Sequence, residues 1–600
     1  MEGRVAETPE AVAYQTLEEE GVWQATRWRD FKRAVASLGT GLQQLGLVAG
    51  DYVGILVPTC QEWECAHMAI LRAGGVVVGL DPHDIDERIN DIARHARLNA
   101  IIVKDAKALK KVSKQIRDGL KFILSLESTS QPEERPKVVS MDHMFESAST
   151  NSTYDAARAR PEDPATMIFT SGTTGAPKGI VYTHEQICFA IESILEAYPD
   201  INTGSRLVCW LPLSNLFQRM VNYCAVSKGA VTYIVEDPRE IMKHLPSVSP
   251  HVFVAVPRFF EKLYLGIMEN ISQKPAWTRA ITRWAFSVGN SYATVSREGR
   301  SPPFFLRVSH ALADALVLKR IRGVMGSNLQ YMITGSAAMP QWLLESFHAL
   351  GLLILEAYGL SENVVPVAAN RVGDYKFGTV GKVLTGNEVR LSKEGELLVR
   401  GPGIFSGYYD DEPDERLLTW DGYFPTGDYA EIGREGFVTL IGRKAEVFKT
   451  STGRRIAPVA IEGHIARLPY VEYVAVVGEG RKFLVAILAI YEAVLYRKAG
   501  SKALSLTDAY EFIQADVARE VKSLPIYQRP AGLVITSRPF TIASGELTSN
   551  LKLRRRTIEK IYEPVITELY ARFDELNVSA LHCIPSGDEV VIGALCGPTL

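Results

Sequence analysis

The chain has 600 residues, too many for one hydrophobic core, so two or more domains or subdomains are expected. Its 46% hydrophobic and 22% charged residues exclude a disordered or fibrous chain, and a net charge of −3 supplies no overall field to draw it to nucleic acid. Seven cysteines without CxxC or zinc-like spacing argue against a disulfide framework and for a reducing cytosol. The N-terminal MEGRVAETPEAVAY lacks the apolar core of a signal peptide, and no apolar run is long enough to predict a spanning helix. The expected location is cytoplasmic, with peripheral membrane contact open.

In chain order, Asp51–Pro58 reads as a strand, Trp63–Leu71 as a helix and GGVVVGLDP as a strand, a βαβ rhythm that implies a parallel sheet covered by helices. Lys104–Lys121 reads as a basic amphipathic helix with Leu109, Val112, Ile116 and Leu120 as its apolar stripe. It either packs that stripe on a sheet or lies on an anionic bilayer. From Pro250 to Gly326 long helical patterns dominate, broken at Ser301–Pro303. Leu329–Ile333 is a strand, Pro340 stands at a helix start, Gly351 follows that helix and Leu352–Leu355 begins the next strand. From Glu388 short strands with Gly turns predict a small β-rich subdomain. A further boundary near Ile441–Pro458 precedes a compact α+β pattern with a helix at Val459–Arg467 and strands in YVAVVGEG and KFLVAILAI. Residues after Arg572 fit neither pattern, beyond a possible added strand in the last stretch.

The stretch TMIFTSGTTGAPKGIVYTH, Thr166–His184, raises the functional question. Ser171–Gly179 holds only small, turn-forming or cationic residues, a composition suited to an anion. It is not a GxxxxGK[ST] loop, because Lys178 neither follows a Gly nor precedes Ser or Thr. Ile180–Thr183 reads as a strand, and the next helix starts only at Thr183, with Gln186 completing a capping box. A loop between two strands results, whose Ser, Thr and backbone N–H groups make a phosphate nest and whose Lys178 adds a point charge.

TSGTTGAPKG, Thr170–Gly179, resembles the signature [ST]SG[ST]TGxPKG of the adenylate-forming superfamily, and further motifs follow in the family's order. The resemblance implies that Thr170, Ser171, Gly172, Thr173, Thr174, Gly175 and Lys178 bind ATP phosphates, with Thr170 and Lys178 taking part in catalysis. AYGLSE is similar to the family's YG[LMQ]TE. There Tyr358 can stack an adenine, Gly359 lets the base approach, Ser361 donates to phosphate, and Glu362 helps hold Mg²⁺ and acts in catalysis. GSAAMP looks like the adenine-binding turn, which places Gly335, Ser336 and Ala337 at the base. DGYFPTGD matches DG[WY]FxTGD, so Asp428 would accept from the ribose hydroxyls, with Arg443 of IGRKAE as the second ribose contact. ELTSNLKLRRR resembles the motif of the catalytic lysine, carried here onto Lys552. A cation bridging carboxylate and α-phosphate at ~4 Å offers roughly 4 kcal/mol per pair at an effective dielectric near 20.

The helical stretch around VAVPRFFEKLYLGIMENI looks like the long-chain fatty acyl-CoA synthetase branch in particular. Its Phe, Leu, Val and Met could line an acyl tunnel or simply form core. LPLSNLFQRM, Leu211–Met220, matches LPLxHxxxR except that Asn215 replaces the His of the acyl or CoA gate, and Arg219 is retained. Ala445 stands where relatives usually carry a charged hinge residue.

The resemblance implies an α/β fold. Residues 1–442 form a large N-terminal domain of parallel and mixed sheets, with a helical elaboration about 250–328 and a β subdomain about 380–440. Residues 443–571 form a smaller mobile α+β domain that carries Lys552 and swings about Arg443–Glu446, and 572–600 form a tail of unknown role. The expected activity joins a fatty carboxylate to AMP from Mg²⁺–ATP and passes the acyl group to coenzyme A. An acyl carrier protein is the alternative acceptor, and a binding-only paralogue is the alternative of another class.

Overall fold

The runs Tyr52–Leu56, Val76–Gly79, Ala100–Val103 and Phe122–Ser125 are almost wholly buried, because helices cover a parallel sheet on both faces. The computed structural model describes residues 2–18, 21–127, 137–141, 159–171, 177–409, 417–492, 494–495, 506–541, 543–547, 553–575, 584–585 and 590–595. The chain divides into two compact units: Met1–Arg390 with Leu398–Pro425 and Ile432–Val438, and Leu391–Leu397 with Thr426–Glu431 and Thr439–Leu600.

In the first unit, those four strands join Lys137–Ser140, Pro164–Ser171 and Pro177–Thr183 in a seven-stranded sheet. All its neighbours are parallel except the last pair, which is an antiparallel hairpin. Val252–Ala255, Tyr331–Thr334 and Ile354–Leu360 run parallel in a five-stranded sheet completed by the antiparallel strands Asn363–Ala369 and Lys382–Val383. Helix Gln341–Ala349 starts after Pro340 and ends before Gly351, whose φ of +76° lets the chain turn into the next strand. A four-stranded sheet brings Arg206–Cys209 and Val231–Ile234 beside the N-terminal strands Val12–Leu17 and Trp23–Arg27.

The helical stretch is Pro257–Ser272, Ala276–Arg297 and Phe304–Ala313, inserted between the first two strands of the five-stranded sheet. Its inward side chains, among them Phe259, Phe260, Leu263 and Ala285, belong to one buried cluster with Phe347 and Leu350. They are core.

The expected single helix over Lys104–Lys121 is two short ones, Ala106–Lys110 and Lys114–Asp118. The break has a tertiary cause. Asn90 donates from Nδ2 to the Lys111 carbonyl at 2.9 Å and accepts from the Ser113 N–H at 2.7 Å, taking backbone groups a continuous helix would use. The stripe still faces inward: Leu109, Val112 and Leu120 are buried, with Ile116 packed against them. Among the described residues no helix is long and apolar enough to cross a membrane.

The β-rich stretch is four strands, Glu388–Leu391, Glu396–Arg400, Phe424–Ile432 and Val438–Arg443, adjacent in that order. In the second unit, Val471–Val477, Val485–Ile490 and Gly532–Thr536 pack with helices Pro458–Ile465, Leu506–Val521 and Arg555–Glu575. Val590–Ala594 adds an antiparallel strand to Gly532–Thr536, with Leu533 opposite Gly593, so this part of the tail is built into the sheet.

Candidate active site

Thr170 lies opposite Lys178 and Ser171 opposite Pro177, so the strands on either side of the loop pair as an antiparallel hairpin. Its central residues Gly172, Thr173, Thr174 and Gly175 lie outside the described residues, as does Lys552. The second arm continues to Thr183, which caps the helix His184–Ala197. Its Oγ1 accepts from the Gln186 N–H at 3.3 Å and the Gln186 side chain accepts from the Thr183 N–H at 3.1 Å. The strand–loop–strand context separates this loop from a nucleotide loop that opens a helix.

Lys178 meets Glu362 through a residue the motifs did not single out. Its Nζ lies 4.4 Å from the centroid of the Tyr408 ring, and the Tyr408 hydroxyl donates to Glu362 Oε1 at 2.9 Å. The backbone sets this up. Tyr408 bridges Ile180, the Tyr409 N–H donates to the Gly179 carbonyl at 2.8 Å, and the Phe405 N–H donates to the Glu362 carbonyl at 3.0 Å. Tyr182, two residues along the same arm, donates to the Ser361 carbonyl at 2.5 Å. Burial, with Glu362 and Tyr408 beside it, pushes the Tyr182 phenol up, so it stays a donor at any working pH. Thus Thr170, Lys178, Ser361 and Glu362 are brought together at one end of the hairpin Ile354–Ala369.

The turn expected to hold the base, Gly335 to Ala337, meets that hairpin at Ala357. A Cβ on Gly335 would stand 3.3 Å from the Ala357 carbonyl and 3.4 Å from the Phe217 ring, so the chain approaches here as only Gly comfortably allows. Ser336 holds φ +70°, a left-handed conformation that costs a non-glycine residue about 1 kcal/mol or more, and it is exposed with Ala337. Tyr358 is buried in the strand, while Gly359 is exposed. Beneath the turn, Glu356 Oε1 accepts from the Met339 N–H at 3.3 Å. Burial pushes this carboxyl up to about 8, so at neutral pH it is mostly protonated.

The segment expected to gate the acyl chain splits into an exposed and a buried half. Asn215 is exposed and caps helix Leu216–Lys228 without a side-chain cap bond. Arg219, one turn on, is fully buried. Its Nη1 donates to Thr166 Oγ1 at 2.6 Å, and the guanidinium lies 5.8 Å from the Trp63 ring centroid. Thr166 lies on the strand Pro164–Ser171, which ends in Thr170 and Ser171. Glu64 Oε1 accepts from Asn222 Nδ2 at 3.0 Å, Asn222 Oδ1 from Gln218 Nε2 at 2.9 Å, and Gln218 Oε1 from the Leu211 N–H at 3.2 Å. Burial pushes the Glu64 carboxyl up to about 7, with Asn222 and Arg219 pulling the other way. Arg219 is buried like this network, and its charge acts on Glu64.

Asp428 and Arg443 belong to the second unit, where Arg443 Nε lies 2.8 Å from Asp428 Oδ1. Lys444 beside Ala445 pairs with Glu396 at 2.7 Å, so a charged side chain stands one place from where it was expected. For the metal, Glu362 fits. Mg²⁺ in phosphate chemistry takes one or two carboxylates plus phosphate and water oxygens, and a half-buried carboxylate held at one oxygen by Tyr408 supplies one. Among the described residues no cluster of three His, Cys, Asp or Glu is arranged for a metal, and a phosphate-borne Mg²⁺ needs none.

The missed residues are Tyr408, Tyr182, Phe217 and Glu356. Only Tyr182 carried a local signal, as part of the strand beside the loop.

The family of AMP-binding enzymes matches residues 1–409, and the AMP-binding enzyme C-terminal domain matches residues 446–574. The long-chain-fatty-acid–CoA ligase FadD15 of Mycobacterium bovis is 30% identical over 576 residues, 94% of this chain and 95% of that protein. Fatty acyl-CoA synthetase B of Dictyostelium discoideum is 27% identical over 571 residues, 89% of this chain and 83% of that one. Among solved structures, the adenylation domain of the carboxylate reductase of Mycobacterium chelonae superposes with a TM-score of 0.75 at 19% identity, over 94% of this chain and 90% of that chain. With a family model spanning well over half its length, the chain belongs to the AMP-binding enzymes.

Proposed function

We propose that the protein is a long-chain fatty acid–CoA ligase that forms AMP. The observation that carries the reading is the 30% identity to a long-chain-fatty-acid–CoA ligase along almost the full length of both chains, joined to the Lys178–Tyr408–Glu362 arrangement.

Lys178 and the hydroxyls of Thr170, Ser171 and the loop hold the β- and γ-phosphates of ATP, with the base over Gly335, Ser336 and Ala337. Glu362, fixed by Tyr408, would hold Mg²⁺, which would supply charge neutralisation when bound. Asp428 and Arg443 engage the ribose. Lys552 draws the attacking carboxylate to the α-phosphorus, and pyrophosphate leaves. The thiol of coenzyme A then takes the acyl group and releases AMP. A substrate of this kind resides in membranes, so the enzyme works in peripheral contact with one.

The test is pyrophosphate release with Mg²⁺–ATP and a panel of fatty acids from short to long chains, with and without coenzyme A. Chain-dependent release ending in acyl-CoA supports the ligase. Acyl-AMP that accumulates despite coenzyme A makes an acyl carrier protein the acceptor, and no turnover with any acid overturns the proposal.

A further inference from the structure

Helix Ala276–Arg297 carries two apolar stripes. Thr282, Ala285, Gly289 and Ala293 are buried against the core. Trp277, Ile281 and Trp284 recur at the spacing of a second face, turned well away from the first, and all three are exposed, Trp277 by 68%. The next helix, Phe304–Ala313, buries only Ala313. It exposes Phe304 at 65%, Phe305 at 83%, and Val308 and Leu312 one and two turns on. The two helices pack on each other. Scattered surface apolar residues need no explanation, but this many large ones on two neighbouring helices mark a surface for another apolar phase.

The charge around them identifies that phase. Residues 274–322 hold nine Lys and Arg against two Asp and Glu, a local +7 in a chain of −3. Both acids are neutralised internally, Glu298 by Arg300 and Asp314 by Arg322. Among the described residues, Arg279, Arg283, Arg307 and Arg320 enter no ion pair, and all four are exposed. Exposed tryptophan and phenylalanine together with exposed arginine, on helices that are not apolar enough to span, are the composition of a helix that lies in the headgroup region.

We propose that helices Ala276–Arg297 and Phe304–Ala313 form the surface by which this protein docks on an anionic lipid bilayer, with Trp277, Phe304 and Phe305 inserted and the arginines on the headgroups. The choice of lipid as occupant rests in part on the fatty-acid reading, whereas the surface itself stands on exposure and charge. The face lies on a different part of the first unit from the Lys104–Lys121 stretch, whose apolar stripe is consumed by the core.

The test is co-sedimentation of the full chain with vesicles of phosphatidylcholine alone and of equal parts phosphatidylcholine and phosphatidylglycerol. The wild type is expected to pellet with the anionic vesicles and far less with the neutral ones. Phe304→Ser with Phe305→Ser should lower partitioning on the order of tenfold or more. Arg279→Glu with Arg283→Glu should lower it at least about fivefold per charge and abolish the preference for phosphatidylglycerol. Both pairs should keep the wild-type urea midpoint and the wild-type rate on soluble octanoate. Wild type left in the supernatant with both vesicles overturns the proposal, and so does either variant pair pelleting like wild type. If the Phe pair instead converts an oligomer to a monomer, a second copy is the occupant and the proposal falls. Sedimentation is read without turnover, so failure of docking and failure of the ligase reading are separate results.

Discussion

Glu64→Gln tests the buried network under the Leu211–Met220 segment, and its magnitude follows from the structure. The Glu64 carboxyl is fully buried, and burial pushes it from 4.5 to about 7 against the pull of the Asn222 hydrogen bond and the Arg219 charge. An acid whose folded pKa is raised binds more protons folded than unfolded between the two values. Stability therefore falls as pH rises from about 4.5 to about 7, and is flat with respect to this group above and below that window. At 1.36 kcal/mol per unit, the full span is about 3.4 kcal/mol, of which about 2.5 kcal/mol falls between pH 5 and pH 8. Glutamine keeps the oxygen that accepts from Asn222 and removes the titration. Urea unfolding of both proteins at several pH values from 5 to 8 should give a stability difference that tilts toward the variant by about 2.5 kcal/mol as pH rises. A difference independent of pH would refute the reasoning. It would mean that Arg219, despite having no ion pair with Glu64 among the described contacts, holds the carboxylate charged as effectively as water does.

Arg219→Met should cost about 3 kcal/mol, since it removes the donor to Thr166 and the positive charge that offsets Glu64, and should move the pH window of that carboxyl upward in the same titration. Lys552→Ala should lower ATP–pyrophosphate exchange on the order of 10²–10³-fold, with the second half-reaction from supplied acyl-AMP little changed. Tyr408→Phe keeps the ring over Lys178 and deletes the bond to Glu362. A roughly tenfold lower exchange rate with a raised Mg²⁺ requirement is expected, and an unchanged Mg²⁺ titration would remove Tyr408 from the metal's support. Asn215→His should introduce an activity transition near pH 6.5 that the wild type lacks, seen in a kcat/KM profile.

The elements that were legible are those whose signal is local. The hairpin at Pro164–Thr183 shows in strand residues on both sides of the loop, and the capping box at Thr183 fixes where the helix begins. Gly351 and Pro340 punctuate a helix just as their backbone limits require. Tyr408 was not legible, because it reaches Lys178 and Glu362 through a bridge to Ile180 that is 228 positions away in the chain, and nothing near GIFSGYY reports that pairing. The helix break at Lys111–Ser113 has the same character. The periodicity of Leu109, Val112, Ile116 and Leu120 is correct as a face and wrong as one helix, since Asn90 supplies the competing hydrogen bonds from another element.

The net charge illustrates what a composition hides. A total of −3 excludes a global field, yet residues 274–322 alone carry +7, which leaves −10 on the rest of the chain. At physiological salt a surface charge is screened within about 8 Å, so a flat anionic surface pressed on the helices Ala276–Arg297 and Phe304–Ala313 senses their arginines and almost none of the distant acids. The long helices of this stretch were first legible as a tunnel wall or plain core. The structure gives their inner faces to the core, and the outer faces carry large apolar side chains and arginines that enter no ion pair among the described residues. Core packing requires only the first of these faces. The second costs solubility without adding to the fold, so its arrangement is better explained by a surface that covers it than by the stability of the domain.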